Sequence, residues 1–405
     1  MIAVNIILII IFSYLVFCTL YNLVFSVAAI VCRPARYDRV EIKNRFAIFI
    51  PAYKEDLIVL HTVRWALKQE YPSDKFDVVV IADQLRKETL SELSQLPIKL
   101  IPVFFKQSTK ARSIKFALEQ LPEDEYECIL ILDADNLLGD MCLEKANHAY
   151  VQGFKMVQLH RTAKNKNTTT AILDAISEEI GNTIHRKGHR ALGLSSTLIG
   201  SGMVFDYNIF KDVMLSLDIE DNPAEDRGIN AEMLNRGLIC EYIDSAYVFD
   251  EKVQSNQVLE RQRVRWISAQ LTYIREFWIK QPLKTMTTSP NYFDYALQTL
   301  ILPRSLLIVA NFLGLLFSVI SLTMRLSFFP GVICWSMLLV GCILCFALSI
   351  GKEITRKELR RALLYFPVTF FSIVKALFRS SSSSKEFIHT PKEYTGDRSA
   401  SVPKN

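Results

Sequence analysis

A few short segments of this 405-residue chain carry side chains suited to chemistry on a phosphate-bearing substrate. The most informative is Asp133-Ala134-Asp135-Asn136. Two carboxylates one residue apart in a turn offer hard oxygen ligands to a divalent cation and leave positions open for water and phosphate oxygens. A strand-end turn with capping Asp and Asn gives the same letters without a metal. Asp83 adds weight to the metal reading, because it ends another apolar run and parallel strand order brings such ends together. Glu225-Asp226 follows Asn222 and Pro223 and opens a helical stretch, Asp226–Gly237. Acids there are ordinary helix-terminal residues, and they equally place a carboxylate where it can take a proton from an attacking hydroxyl. In Gln262-Arg263-Val264-Arg265-Trp266, Arg265 can neutralise a diphosphate leaving group and Trp266 offers a flat face to a sugar ring. A solvated or lipid-facing helix face accounts for the same residues. Gly200-Ser201-Gly202 permits close backbone approach to a ligand, as a common turn also does. His185, Arg186, Lys187, His189 and Arg190 form a basic cluster with no acid or cysteine beside them to complete a metal site, so an exposed loop is expected there. Neither GxGxxG nor GxxxxGK[ST] occurs, which excludes the usual dinucleotide and P-loop readings.

The elements that must position these residues alternate. Phe46–Ile50, Val78–Ala82, Leu100–Phe105 and Cys128–Leu132 are short β-rich apolar runs. Between and after them, Leu57–Gln69, Leu85–Leu93, Thr109–Gln120 and Leu143–Gln152 have helical periodicity. Such alternation predicts an α/β domain over about 45–285 with a mostly parallel, doubly wound sheet. Ligands of such sheets bind beyond the carboxyl ends of the strands, where Pro51–Asp56, Asp83 and Asp133–Asn136 lie. Further on, Ile172–Ile184 and Gln257–Trp278 read as helices and Met203–Phe205 and Cys240–Phe249 as strands. Ser380–Ser384 reads as a flexible linker.

Outside that domain the chain is apolar. Half of all residues are hydrophobic, and 47 Lys and Arg against 42 Asp and Glu leave a net charge of +5. This excludes a disordered or collagen-like chain and gives no nucleic-acid footprint. No charged residue occurs in Met1–Cys32, Ser305–Met324 or Leu326–Gly351, each long enough for the roughly 17–25 residues that cross a bilayer. Arg33, Arg36 and Arg39 follow the first run, and Lys352, Arg356, Lys357, Arg360 and Arg361 follow the third. The positive-inside rule then puts the N-terminus outside and the central domain and C-terminus in the cytoplasm, with three spans. The first run lacks the basic n-region of a signal peptide. Ala362–Val374 is bracketed by basic residues and suits an interfacial helix. The resulting plan is a 1–32 span, a 45–285 cytoplasmic domain, a 286–351 interfacial segment with two spans, a 352–379 basic loop with its interfacial helix, and a 380–405 tail. The eight cysteines are scattered and imply no disulfide framework.

Taken in order, Pro-Ala-Tyr-x-Glu, Asp, Asp-x-Asp, Gly-Ser-Gly, Glu-Asp and Gln-x-x-Arg-Trp resemble the membrane-integrated family-2 glycosyltransferases, which include cellulose, chitin and hyaluronan synthases. The resemblance covers about 45–280 and the flanking membrane plan. It implies a GT-A type domain that binds a nucleotide-sugar, with Ala52, Glu55 and Asp83 at the base and ribose and Lys110 near the nucleotide. Asp133 and Asp135 would bind the donor and Mg²⁺ or Mn²⁺. Gly200, Ser201, Gly202 and Glu225 would line the acceptor side, and Asp226 would be the base. Gln262, Arg265 and Trp266 would hold the diphosphate and the acceptor sugar, and Phe387–Lys392 looks like the family's gating motif. Lys54 and Thr109 depart from the Asn and Gly that many members carry. The implied reaction is one inverting displacement: the acceptor hydroxyl, deprotonated by Asp226, attacks the anomeric carbon as the nucleoside diphosphate leaves. A growing β-linked polysaccharide is the favoured acceptor and a UDP-sugar the favoured donor. Three spans are few for a single-chain channel, which leaves a homo-oligomer, added interfacial helices near Tyr292–Leu302, or single transfer to a lipid. A nucleotide-binding membrane scaffold without activity is the remaining alternative.

Overall fold

A computed structural model of the protein describes residues 2–32, 37–122, 124–220, 222 and 224–365. The Ser380–Ser384 stretch, the Phe387–Lys392 segment and most of Ala362–Val374 lie outside them. Eight strands form one sheet: β1 Phe46–Tyr53, β2 Phe76–Asp83, β3 Lys99–Val103, β4 Cys128–Ile131, β5 Leu137–Leu138, β6 Met156–Ala163, β7 Met203–Asp206 and β8 Cys240–Asp250. Their order is β3-β2-β1-β4-β7-β6-β8-β5. The first four pair in parallel, as the alternating sequence requires. β7 then runs antiparallel to both β4 and β6, and β5 antiparallel to β8. The sheet is therefore mixed, a correction to the mostly parallel expectation for its second half. The reason is connectivity: β7 arrives from the irregular segment after the helix pair at 169–191, not through a crossover helix.

Side-chain alternation along β1 and β2 explains the double covering. Phe46, Ile48, Ile50, Val78 and Val80 face one core with Val59 and Val63 of the helix Val59–Ala66 and Leu143 and Ala146 of the helix Cys142–Val151. Ala47, Phe49, Val79 and Ile81 face the other with Ile114 and Leu118 of the helix Lys110–Gln120 and Phe210 and Val213 of the helix Tyr207–Ser216. A period of two on a strand buried on both faces gives this division.

Three apolar helices stand outside the sheet domain: Ile2–Val31, Arg304–Thr323 and Val332–Leu348. The first two are long and apolar enough to cross a membrane, and the third, at 17 residues, is shorter. Only 17% and 22% of the most apolar windows of the first two is buried. They meet along a filled seam that includes Leu15, Cys18, Leu307, Trp335, Leu338 and Cys342. A Cβ on Gly314 would lie 2.2 Å from the Trp335 ring, so only glycine admits that ring.

The basic cluster at 185–190 is not the exposed loop expected from its charge. It forms a π-helix, Thr183–Gly188, continued by His189–Ala191. Arg186 is 6% exposed and His189 is fully buried. The N-terminal helix supplies the cover: Phe25 stacks on the His189 ring at 3.6 Å between centroids. A Cβ on Gly188 would lie 2.2 Å from the Phe25 carbonyl oxygen. His189 Nε2 lies 3.2 Å from Asp294 of the helix Pro290–Leu300, whose other oxygen accepts a 2.7 Å bond from Tyr21. The helix near Tyr292–Leu302 is thus pinned between the sheet domain and the first apolar helix.

Candidate active site

The candidate site lies where the parallel strands end. β1 sits between β2 and β4, so the chain after β1, Asp83 at the end of β2 and Asp133 just past β4 share one edge of the sheet. Lys54, in the left-handed region at φ 56°, donates its N–H to the Asp83 carbonyl at 3.1 Å. Ala52 is buried in the core, so it offers a ligand only its backbone. The Glu55 carbonyl accepts from Ile58 and Val59 and starts the next helix. Asp83 is 1% exposed; burial raises its pKa, opposed by bonds from Ser108 and the Phe105 N–H. Two strand spacings separate β2 from β4, roughly 10 Å.

Lys110 is the hub. Thr109 caps the helix Lys110–Gln120 by accepting from the Arg112 N–H at 3.2 Å, a function that explains the hydroxyl residue at this position. That cap places Lys110 in the first turn, and its ammonium donates to the Asp133 carboxylate and to the Gly200 carbonyl. Burial works against the Lys110 charge, but Asp133, Glu225 and Asp226 outweigh it and raise its pKa. One ammonium therefore faces three carboxylates. The excess appears at Glu225, whose carboxyl burial pushes up to about 7, with Asp226 and Asp133 adding to the shift and Lys110 opposing it.

Asp226 stands in the first turn of the helix Glu225–Asn235, where the helix dipole favours an anion. Its Oδ1 accepts from the Arg227 N–H at 2.9 Å. Its Oδ2 lies 3.7 Å from where a Cβ on Gly200 would be, and Gly200 has φ +85°. The missing side chain keeps the approach to that oxygen open. Gly202, at φ +66°, lets the same turn lie against Val248, whose Cγ2 would be 2.9 Å from an added Cβ.

The Ser201 side chain faces inward, so only the backbone of its turn can approach a ligand. It is fully buried, accepts from the Asp133 N–H at 3.0 Å and donates to Asn136 Oδ1 at 2.6 Å. Asn136 in turn donates to Asp135 and to Asp250, each at 2.9 Å. Ser201 and Asn136 thus hold the two aspartates of the turn in fixed relation. Asp250, at the end of β8, belongs to a buried ion network with Arg161, Glu178 and Lys252 that motif reading missed. Its signal was Asp250 at the end of a long apolar strand.

Gln262, Arg265 and Trp266 lie on the helix Asn256–Ile274. Its later end meets the site: Tyr273 accepts from Asn222 at 3.1 Å, in the loop that precedes Asp226. Arg265 is two turns earlier, about 12 Å along the axis. Among the described residues no hydrogen bond or ion pair joins Gln262, Arg265 or Trp266 to Asp133 or Asp226. Trp266 is 36% exposed with the Arg263 guanidinium 4.6 Å from its ring, and Gln262 Oε1 is buried without a partner.

Against known proteins, the family described as "Glycosyltransferase like family 2" matches residues 44–269. The chain belongs to that family. A curated relative, the "Probable glycosyltransferase YdaM" of Bacillus subtilis (strain 168), is 22% identical over 240 residues. That alignment takes in 55% of this chain, and it spans about half, 54%, of the relative. Among solved structures, the mannosyltransferase PcManGT from Pyrobaculum calidifontis, in complex with GDP-Man and Mn²⁺, superposes with a TM-score of 0.57. It is 14% identical, covers 93% of this chain and 98% of that one, and shows the fold alone. TarS 1-349 of S. aureus is 12% identical over 84% of this chain and 92% of that one, with a TM-score of 0.39. The GT-A-like α/β fold and membership of glycosyltransferase family 2 follow.

The donor set suits a hard divalent cation. Asp133 and Asp135 present carboxylate oxygens from one braced turn, and three acids against one ammonium leave negative charge uncompensated. Held by Asp133 and Asp135, such a cation would act as a Lewis acid on the donor diphosphate.

Proposed function

We propose that this protein is an inverting glycosyltransferase that moves a sugar from a nucleotide-sugar, a UDP-sugar in the first instance, to a hydroxyl of a growing β-linked polysaccharide at a membrane surface. The observation that carries the reading is the meeting of Lys110, Asp133, Gly200 and Asp226 at the carboxyl edge of the sheet. Lys110 holds the donor side in place and lends positive charge to the diphosphate. Asp226 takes the proton of the acceptor hydroxyl as its oxygen bonds the anomeric carbon and the bond to the departing phosphate oxygen breaks. A single displacement turns an α-linked donor into a β-linked product. Glu55 and Asp83 address the base and ribose, and Gly202 and Glu225 shape the acceptor side. Arg265 neutralises the departing diphosphate, and Gln262 and Trp266 hold the acceptor sugar. The three apolar helices insert with the catalytic domain on the cytoplasmic side.

A second reading, single transfer to a lipid acceptor, draws support from the filled seam between those helices, where Trp335 is 1% exposed. Both readings are tested by the product of the detergent-purified protein with donor and a divalent cation. A β-configured product by proton NMR supports inversion, and an α-configured one refutes it. A long saccharide supports the polymer, and one sugar on an extractable lipid supports the second reading.

A further inference from the structure

Where the apolar helices meet the catalytic domain, three guanidinium groups converge without enough acid to balance them. The helix Thr169–Asn182 presents Asp174, Ser177, Glu178 and Gly181 at helical spacing. Against that face lie Arg186, Arg263 and Arg304, from three different elements. A Cβ on Gly181 would lie 3.2 Å from Arg304 Nη1 and 3.5 Å from Arg186 Nη1, so glycine leaves room for both. Arg304 Nη2 donates to Ser177 at 3.3 Å, while its Nη1 is buried with no partner among the described residues. Arg263 donates to Asp174 at 3.2 Å, and its Nε is buried without a partner, as is His185 Nδ1. Arg186 uses its Nε and Nη1 on the Thr197 carbonyl and Asn182, neither of which carries charge.

The charge count does not close. Glu178 is shared by Arg161 and Lys252, Asp250 by the same two, and Asp174 serves Arg263. Among the described residues, the ion pairs of five cations (Arg161, Arg186, Lys252, Arg263 and Arg304) draw on three carboxylates, none of which pairs with Arg186 or Arg304. Burial lowers the pKa of Arg263 and of Arg186, the latter to about 10, and burial, Arg304, His189 and Arg186 push His185 well below its usual value. Unpaired buried charges cost several kcal/mol each unless an ion of opposite sign joins them.

We propose that Arg186, Arg263 and Arg304 form a binding site for a phosphate group carried by a lipid, at the catalytic end of the apolar helices. Arg304 opens the helix Arg304–Thr323, whose first turn has no side-chain cap and whose dipole favours an anion there. Acyl or prenyl chains attached to such a phosphate would lie along the exposed apolar faces of these helices, where Phe312, Leu313 and Leu316 are uncovered. Arg263 is also the residue next to Gln262 and is stacked on Trp266, so an occupied site orders the helix that carries the acceptor residues. The inference deepens the lipid-acceptor reading and rests on it only for what the phosphate is attached to.

The test uses the full chain in nonionic detergent, with dodecyl phosphate as probe and dodecanol and inorganic phosphate as controls, read by calorimetry. Wild type should bind dodecyl phosphate at least about tenfold more tightly than either control, and Arg304→Gln should lose about tenfold. Ser177→Asp should lose binding by a similar factor yet melt no lower than wild type, because its carboxylate supplies the missing charge. That variant decides the matter if Arg304→Gln does not fold. Equal binding by wild type and Ser177→Asp, or none by wild type, overturns the site. Inorganic phosphate binding as tightly as dodecyl phosphate overturns the lipid source and leaves a soluble anion. Nucleoside diphosphate release, followed in the same preparations, separates the two proposals. Release without dodecyl phosphate binding sinks the site alone, and binding without any donor turnover sinks the proposed activity alone.

Discussion

Glu225→Gln tests the electrostatics of the site without touching the proton acceptor. Burial, Asp226 and Asp133 raise the Glu225 carboxyl to about 7 from an ordinary 4.5, against the pull of Lys110. A raised carboxylate pKa means that the folded chain holds a proton between those two values that the unfolded chain has lost. The contribution of Glu225 to stability therefore falls as pH rises from about 4.5 to about 7 and is flat above. At 1.36 kcal/mol per pKa unit the full shift corresponds to about 3 kcal/mol, and partial exposure of the side chain reduces it to about 1–3 kcal/mol. Glutamine keeps the shape and omits the charge. In a metal-free buffer, urea unfolding should find Glu225→Gln more stable than wild type by that amount at pH 8, with the difference gone at pH 4. A difference that is the same at both pH values would refute the reasoning, because a packing effect does not titrate.

Gly202→Ala should destabilise by about 1–3 kcal/mol in the same assay, since it combines a positive φ with a 2.9 Å approach to Val248. Ser201→Ala removes the bridge between Asp133 and Asn136; turnover should fall more than donor affinity, and parallel losses in both would argue against a bracing role. Chelation should abolish nucleoside diphosphate release and Mn²⁺ or Mg²⁺ restore it, with Asp135→Asn requiring about tenfold more cation; full activity in chelator would contradict the assignment of Asp133 and Asp135.

The first half of the fold was legible because its strands announce themselves. The apolar runs beginning at Phe46, near Val78, near Leu100 and at Cys128 each became a parallel strand, with the helical patterns between them. β6 was not seen, and the cause is its polar content. Gln158 and His160 are buried there only because partners satisfy them: Gln158 donates to the Ser201 and Gly202 carbonyls, and His160 pairs with Glu179 and Asp244. Those partners are distant in sequence, so a period-two apolar pattern does not appear. The same holds for the cluster at 185–190, whose cover comes from Tyr21 and Phe25 more than 160 residues earlier. In the site, the order of motifs singled out Lys110, Asp133 and Asp226, which the fold brings to one edge of the sheet. The sequence had no means of showing that Ser201 faces inward, or that the helix with Gln262 and Arg265 meets the Asp226 loop through Tyr273 instead.

The central claim is that Asp226 accepts the acceptor proton in a donor-dependent sugar transfer. The most direct measurement is nucleoside diphosphate release by purified wild type and Asp226→Asn across a panel of UDP- and GDP-sugars with Mg²⁺ or Mn²⁺, with donor affinity measured alongside. The account predicts one donor turned over by wild type, a loss of about a thousandfold or more in the variant, and donor affinity unchanged within a few-fold. Turnover by Asp226→Asn at a rate near wild type, or no donor bound by either protein, would contradict it.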